Sequence, residues 1–524
     1  MKNNIIRSTS VVGVCTGLSR VLGLFRMILM ASLFGTSVYA SAFFLAWTVP
    51  NMFRRLFGEG ALSSAFVPVF TESIEKEGLQ EANRLAGRVM SMLGSFLLVI
   101  VLLGLLLVSV YLQFVPTGEK VNAVLSLLRI MLPYLFFICM VALCMGMLNS
   151  RHHFFVPAAT PVLLNVIWIL VLLLVCPLFV DSKEKQIIVV AWGVLGAGII
   201  QLLAQIPVLL KFGVKPRLDF EWRDKRIKEI LILMGPAALG MGVLQINMFI
   251  GKALALAVDE WATAAIQYAE LIVYLPLGLF ATAMGTVLLP TLSSLVARKE
   301  KKEMLSTVNF GLRSILFVMI PASVGLVVLA SSIVSLVYER GQFDLLSSIY
   351  TTRALCFFAP GLAVFGLNKV FVPAFYAHKD TKTPVVVGVW ASLLNLVLMV
   401  VFILFWPVGY KHAGIAFASV VSHAFNCMVL AFLLHKKIGS PGWGTVVSTM
   451  FRVLIISCIM GLVCYFVNIW LYDLAGSIGL SLLLVRLCSV GGSIVVGFVL
   501  YSVLSVVFCR EEVKGLLSSL RKSK

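Results

Sequence analysis

The chain has 524 residues, of which 60% are hydrophobic and only 12% charged, with a mean hydropathy of +1.03. So few polar groups cannot cover a water-exposed surface, which excludes a soluble globular protein. The net charge of +19 does not indicate nucleic acid, because the basic residues sit in short loops between apolar runs and form no long tract interleaved with aromatics.

A helix needs roughly 20 apolar residues to cross a hydrocarbon core ~30 Å thick. Reading apolar runs between charged or Gly/Pro-rich breaks predicts fourteen spans: 9–34, 40–70, 89–112, 123–148, 157–179, 187–210, 229–256, 262–291, 309–336, 348–375, 384–406, 413–434, 449–471 and 481–508. The first run carries Arg20 and Arg26 and shows no small-residue cleavage site after a short apolar core, so it reads as a retained span and not as a signal peptide. An even number of spans places both termini on one side. The loops and termini of that side hold 26 Lys and Arg residues, against five (Lys120, Lys183, Lys185, Arg340 and Lys411) in the opposite loops. Basic residues resist translocation, so both termini are predicted to be cytoplasmic.

A weak internal repeat runs through the chain. Ala65-Phe66-Val67-Pro68 and its charged loop are echoed by Val287-Leu288-Leu289-Pro290. Arg129 corresponds to Arg353, and Arg151-His152-His153 before Pro157 corresponds to His378-Lys379-Asp380 before Pro384. The offsets are 222, 224 and 227 residues, or six spans, and an even number of spans per copy makes the repeat parallel. The expected architecture is an all-α membrane protein of about 14 transmembrane helices. Two six-helix lobes, 1–220 and 221–440, form the pseudo-repeat, and a C-terminal helix pair with a cytoplasmic tail occupies 441–524.

Ionisable side chains inside spans cost ~2.5–3.5 kcal/mol on insertion scales, so each needs a cavity, a partner or a function. Arg20 and Arg26 lie in the first predicted span, and Arg54, Arg55 and Glu59 in the second. Arg55 and Glu59 are four apart and can share a helical face, which leaves a surplus of three positive charges. The guanidinium fork matches phosphate and carboxylate oxygens, so arginines around one cavity make a site for an anionic head group. The competing explanation is that some of them snorkel to the interface. Arg20 and Arg26 point about 120° apart on an ideal helix, and both reach one cavity only if the helix bends, for which Gly17 and Gly23 are the candidate places. The second lobe contributes weaker candidates in Lys252, Glu270, Arg353 and Lys369, whereas Arg129, Arg313, Arg452 and Arg486 near span ends read as interfacial anchors. Pro50, Pro133, Pro236, Pro276, Pro321 and Pro360 are candidate kinks.

No enzyme signature is found: there is no Walker A loop, no HExxH and no nucleophile elbow. The ten cysteines are scattered without metal-ligand spacing and are expected to be buried free thiols, so neither a metal nor a cofactor is expected. Energy for transport would come from an ion gradient or the membrane potential.

Ser19-Arg20-Val21-Leu22-Gly23, Ala42-Phe43-Phe44, the run from Pro50-Asn51 through Arg54-Arg55 to Glu59-Gly60-Ala61, Ala65-Phe66-Val67-Pro68, Gly285-Thr286-Val287-Leu288-Leu289-Pro290 and Lys379-Asp380-Thr381-Lys382-Thr383-Pro384 resemble the MurJ (MviN) lipid II flippases of the multidrug/oligosaccharidyl-lipid/polysaccharide exporter superfamily. The resemblance extends over almost the whole chain, including the last two spans. It implies a bacterial inner-membrane protein that exports lipid II by alternating access through a cationic cavity. Arg20, Arg26, Arg54, Arg55 and Glu59 match the family's cavity residues, and a groove involving the last two spans is implied for the lipid tail. Three positions depart from the family pattern: Met27 and Ser41 replace frequent aspartates, and Leu271 stands where many members have a cavity arginine, preceded by Glu270. Lys252 or Lys369 would have to compensate in the second lobe. Lipid II, membrane lipids and the cell-wall synthesis machinery are the partners this implies. A flippase for another polyprenyl-linked saccharide and a cation-coupled drug exporter are the nearest alternatives; a drug exporter would favour acidic cavity residues and twelve spans. A membrane-embedded assembly scaffold without transport would leave the arginines with no ligand.

Overall fold

The computed structural model describes residues 2–58, 61–221 and 223–515. Every regular element among them is helical. In chain order these are α1 (Lys2–Phe34), α2 (Val38–Gly58), α3 (Ala61–Glu77), α4 (Leu79–Phe114), α5 (Glu119–Ser150), α6 (Phe155–Leu170), α7 (Lys183–Lys211), α8 (Lys225–Val258), α9 (Ala262–Pro276), α10 (Thr282–Ala297), α11 (Lys301–Val328), α12 (Ala330–Tyr338), α13 (Leu345–Phe358), α14 (Gly361–Ala377), α15 (Lys382–Phe405), α16 (Lys411–Ile438), α17 (Trp443–Ser477) and α18 (Leu482–Phe508). Hydrocarbon offers no water to backbone groups, so spanning segments satisfy their own hydrogen bonds as helices. Polar side chains mark several starts: Ser182, Asp224 and Asp344 cap α7, α8 and α13 by accepting backbone N–H bonds.

Among the described residues, twelve helices are long and apolar enough to cross a membrane, or thirteen if α13 and α14, bent by 45° about Ala359-Pro360, count as one span. Fourteen is not reached on length and composition. The difference lies in the predicted second span, 40–70, which is divided between α2, carrying Arg54 and Arg55, and the 17-residue α3. Proline explains other irregularities, since it removes an N–H donor from the helical ladder. A π-helical turn, Leu277–Ala281, follows Pro276 and joins α9 to α10 within the predicted span 262–291. A second π turn, Val171–Val175, precedes Pro177 at the end of α6.

The chain divides into two compact units, 1–264 and 265–524. In the first, α5 is the innermost helix, packed on α2, α4 and α7, while α1 packs on α6. Helix α8 packs on α2, α3 and α4. That is why this unit extends past the expected lobe limit at 220, and why Lys252, expected in the second lobe, belongs to the first unit. In the second unit, α11 packs on α14 and α17, α15 on α16, and α17 on α18. The C-terminal pair expected as a region apart is therefore seated on α11. Gly461 and Gly497 permit this packing: an added Cβ would come within 2.8 Å of Val324 and 2.5 Å of Cys464 Sγ.

Two turns carry the repeat down to backbone geometry. His152 after α5 and Lys379 after α14 both adopt left-handed conformations, with φ of 55° and 58°. In each turn the next N–H reaches back to a carbonyl of the helix, His153 to Leu148 and Asp380 to Phe375. A left-handed non-glycine residue costs roughly 1–2 kcal/mol, so its recurrence at an offset of 227 residues, the same as Pro157 to Pro384, is an independent mark of the repeat.

Candidate functional site

The first unit gathers most of the intramembrane cations. Helix α1 runs unbroken through Gly17 and Gly23. Asn165 of α6 donates to the Ser19 carbonyl at 3.0 Å and so fixes α6 beside the middle of α1. This contact sets the height at which α6 meets Arg26, about two turns further along α1. The Arg26 guanidinium lies 4.1 Å from the centroid of the Trp168 ring. Face-on packing of this kind is worth roughly 0.5–2 kcal/mol, more when dry.

Trp168 is held by an aromatic frame. Phe43 and Trp47 of α2 meet it edge-on at 5.3 and 5.4 Å between centroids, and Trp47 in turn contacts Tyr134 of α5 at 5.3 Å. Trp168 is 1% and Tyr134 0% exposed. Arg54, from the end of α2, donates to Asn51 Oδ1 at 3.0 Å. It lies within Coulombic reach of both Arg26 and Tyr134. Three buried groups have no hydrogen-bond partner among the described residues: Arg26 Nε, the Trp168 indole N–H and the Tyr134 hydroxyl. Burying such a group without a partner costs about 1–3 kcal/mol.

Arg55 points elsewhere on α2, with Nη1 3.5 Å from Met248 Sδ of α8. Lys252 lies one turn beyond Met248 on the same face of α8 and is 9% exposed, so it does not snorkel to water. Arg20 is half-buried on α1 and makes no hydrogen bond or ion pair among the described residues. Glu59, expected to share a helical face with Arg55, lies outside the described residues.

The structure thus brings together Arg26 with Arg54, and Arg55 with the α8 face that bears Lys252. Trp47, Asn51, Tyr134 and Trp168 were not legible as site residues. The available signals were Asn51 three residues before Arg54, and aromatic side chains with polar tips inside otherwise aliphatic spans. Of the departures from the family pattern, Met27 is fully packed at 3% exposure, and Ser41 accepts a hydrogen bond from the Ala264 N–H at 3.1 Å.

The second unit is different in kind. Glu270 is half-buried on α9, and Lys369 is exposed on α14, where its backbone carbonyl packs against Gly285 of α10. Arg353 donates to the Gly409 carbonyl at 3.0 Å and lies over the Tyr410 ring at 4.3 Å. Arg313 and Arg486, expected as interfacial anchors, are instead ion-paired within the protein, Arg313 with Glu511 and Glu512 and Arg486 with Glu339. All ten cysteines are free thiols; Cys458 on α17 and Cys488 on α18 are exposed, unlike the buried majority. Between α11, α12, α17 and α18 runs an apolar groove of about 630 Å³, lined by residues that include Phe317, Pro321, Leu326, Met460, Ile494 and Phe498. The Tyr501 hydroxyl at its wall donates to the Phe317 carbonyl at 2.6 Å, which leaves the lining without an open polar group at that point.

A family model described as lipid II flippase MurJ matches residues 30–486. A probable lipid II flippase MurJ of Rhizobium tropici is 34% identical over 475 residues, covering 89% of this chain and 88% of that one. The lipid II flippase MurJ of Burkholderia cenocepacia is 32% identical over 453 residues, covering 84% of this chain and 86% of its own. Among solved structures, a lipid II flippase MurJ in an inward closed conformation superposes with a TM-score of 0.79 at 28% identity, covering 96% of this chain and 99% of that one. An inward-facing multidrug resistance transporter of the MATE family and MOP superfamily reaches a TM-score of 0.67 at 15% identity over 80% of this chain and 94% of its own, a likeness of fold alone. With the family model covering most of the chain and relatives above 30% identity along nearly its full length, the chain belongs to the lipid II flippase MurJ family.

Proposed function

We propose that the chain is a flippase that carries lipid II, the undecaprenyl-diphosphate-linked peptidoglycan precursor, from the cytoplasmic to the outer leaflet of the bacterial inner membrane by alternating access. The observation that carries this reading is the Arg26 guanidinium laid on Trp168 with Arg54 in Coulombic reach, in a setting where the buried Arg26 Nε, Trp168 N–H and Tyr134 hydroxyl have no hydrogen-bond partner among the described residues. A diphosphate is a dense array of acceptors, and planar, partly dry guanidinium groups are its best match. The aromatic frame keeps Arg26 in place without neutralising it, as a carboxylate would.

Head group and tail have opposite demands, and the chain supplies both. A charged head cannot cross ~30 Å of hydrocarbon unaided, so it needs the cationic site, opened to each side in turn. The polyprenyl tail is satisfied by apolar surface, which the groove of α11, α12, α17 and α18 offers. The excess of basic loops on the side of the termini supports a cytoplasmic location for both ends. The chain acts as a transporter without catalysis of its own, driven by an ion gradient or the membrane potential. Enzymes of cell-wall synthesis that consume the exported lipid are the partners this role calls for.

The test is depletion of the protein in living cells with leaflet-resolved measurement of lipid II. The expected result is accumulation on the cytoplasmic side and loss from the outer leaflet. An unchanged outer-leaflet pool would overturn the proposal.

A further inference from the structure

Between α7 and α8, the described residues of segment 213–224 form an extended strap laid along one face of α4. Gly213 (φ 74°) turns the chain out of α7, and Asn83 of α4 clasps the start of the strap, donating to the Gly213 carbonyl at 3.0 Å and accepting from the Lys215 N–H at 3.2 Å. Two residues on, the Arg217 carbonyl lies where a Cβ on Gly87 would come within 1.9 Å, so only glycine fits there. Two further on, the Asp219 N–H donates to Ser91 Oγ at 3.0 Å. Asn83, Gly87 and Ser91 are spaced by one helical turn each and form one track. The strap advances two residues per turn of α4, as a nearly extended chain does.

Alternation then sorts the side chains. Arg88 binds Asp219, Glu221 and Asp224 with its three guanidinium nitrogens, which draws those carboxylates against α4. Asp224 also pairs with Arg226, which reaches Glu77 of α3. The side chains between go the other way: Leu218 is 77% and Phe220 63% exposed. Lys215, Arg217, Arg223 and Lys225 around them are exposed too, so the strap presents apolar and basic side chains together, while Asp219, Glu221 and Asp224 have their charge matched by Arg88.

Its height along α4 says what that face meets. Phe96 is the first strongly exposed apolar side chain of α4 and so marks where lipid contact begins. Ser91, which holds Asp219, is five residues earlier, about 7.5 Å along the axis, within the headgroup layer. Side chains there that pair exposed Leu and Phe with flanking Lys and Arg match the chemistry of an anionic bilayer surface.

We propose that strap 213–224 is a membrane-surface anchor, in which Leu218 and Phe220 enter the headgroup–acyl boundary and Lys215, Arg217 and Arg223 bind anionic lipid headgroups. The proposed function is used only to name the leaflet as cytoplasmic. The test places a nitroxide at Leu218→Cys in the full chain with its ten native cysteines replaced, reconstituted in vesicles with or without phosphatidylglycerol. In the anionic vesicles the label is expected to collide several-fold more with lipid-dissolved oxygen than with a water-soluble nickel chelate. Chelate access should rise in neutral vesicles and in the triple K215Q/R217Q/R223Q variant. Chelate access equal to that of a fully aqueous loop site in both lipid compositions would overturn the anchor. Protection from both reagents in native membranes combined with chelate exposure in lipid vesicles would overturn it in favour of a protein partner. Lipid II flipping measured on the same vesicles separates the two readings: a membrane-embedded label with no flipping faults the proposed function alone, and a water-exposed label with flipping intact faults the anchor alone.

Discussion

The two units share a left-handed turn after a long helix, at His152 and at Lys379, yet they are filled with opposite chemistry. The first holds Arg20, Arg26, Arg54, Arg55 and Lys252, with Arg26 and Trp168 inside an aromatic frame. The second ties Arg353 to Gly409 and Tyr410 and opens an apolar groove against α17 and α18. The contrast teaches that a repeat conserves turns and packing, which set where helices go. What the helices carry is free to diverge, here between buried arginines and an apolar groove.

The sharpest way to break that contrast is to neutralise cations of each unit in turn. Arg26→Ala and Arg54→Ala are expected to abolish complementation of a depleted strain at normal membrane levels, since a charged hydrogen bond in a partly dry site is worth about 1.5–3 kcal/mol, or one to two decades of affinity. Lys369→Ala, exposed on α14, should cost far less. Equal loss in both units would mean that head-group binding is shared and the division of labour is wrong.

The groove allows a complementary test. Gly325 lines it, with only Met460 Cε 4.0 Å from where its Cβ would be. Gly325→Trp should fill the space and slow lipid II appearance in the outer leaflet at least tenfold, while a soluble diphosphate analogue of the head group still binds. Unimpaired flipping would remove the groove from the mechanism.

A smaller effect is expected at the aromatic frame. Trp168→Leu removes the ring under Arg26, worth roughly 0.5–2 kcal/mol, whereas Trp168→Phe keeps a face for it. Flipping should fall about 3- to 30-fold for Leu and less for Phe, in parallel with analogue affinity. If Phe and Leu are equally impaired, shape and not the ring face is what matters.

Packing in the second unit predicts a loss of stability in place of a loss of specificity. A Cβ at Gly497 would lie 2.5 Å from Cys464 Sγ, so Gly497→Val should lower stability in detergent by about 1–3 kcal/mol through overpacking between α17 and α18. An unshifted thermal midpoint would show that the pair can spread at no cost.

The smallest effect concerns pH. The Lys437 ammonium, with help from the Thr383 N–H and hydroxyl, holds the Asp380 carboxyl down at about 2, below its ordinary 3.8. A depressed carboxyl contributes stability above its ordinary value and loses it as pH falls towards the folded-state value. Asp380→Asn should therefore be less stable than the native chain at pH 7 and at pH 5 by the same margin, and the margin should narrow only below about pH 4. A margin that already closes between pH 7 and pH 5 would assign the effect to another group.

Much of the molecule was legible before any contact was known. Hydropathy located nearly every span, because insertion depends on composition summed along one helix. The arginines of α1 and α2 stood out for the same reason: a charge in hydrocarbon is costly wherever it points. What composition could not supply was rotation about each helix axis and the packing partners. Tertiary structure alone decided that Arg26 meets Trp168 while Arg20 has no partner among the described residues, and that Arg313 and Arg486 spend their charge on Glu511, Glu512 and Glu339. It also decided that α8 with Lys252 packs into the first unit and that Gly87 receives the strap. These are contacts between segments distant in sequence, set by side-chain shape and the close approach of backbones, and no local property of either segment encodes them.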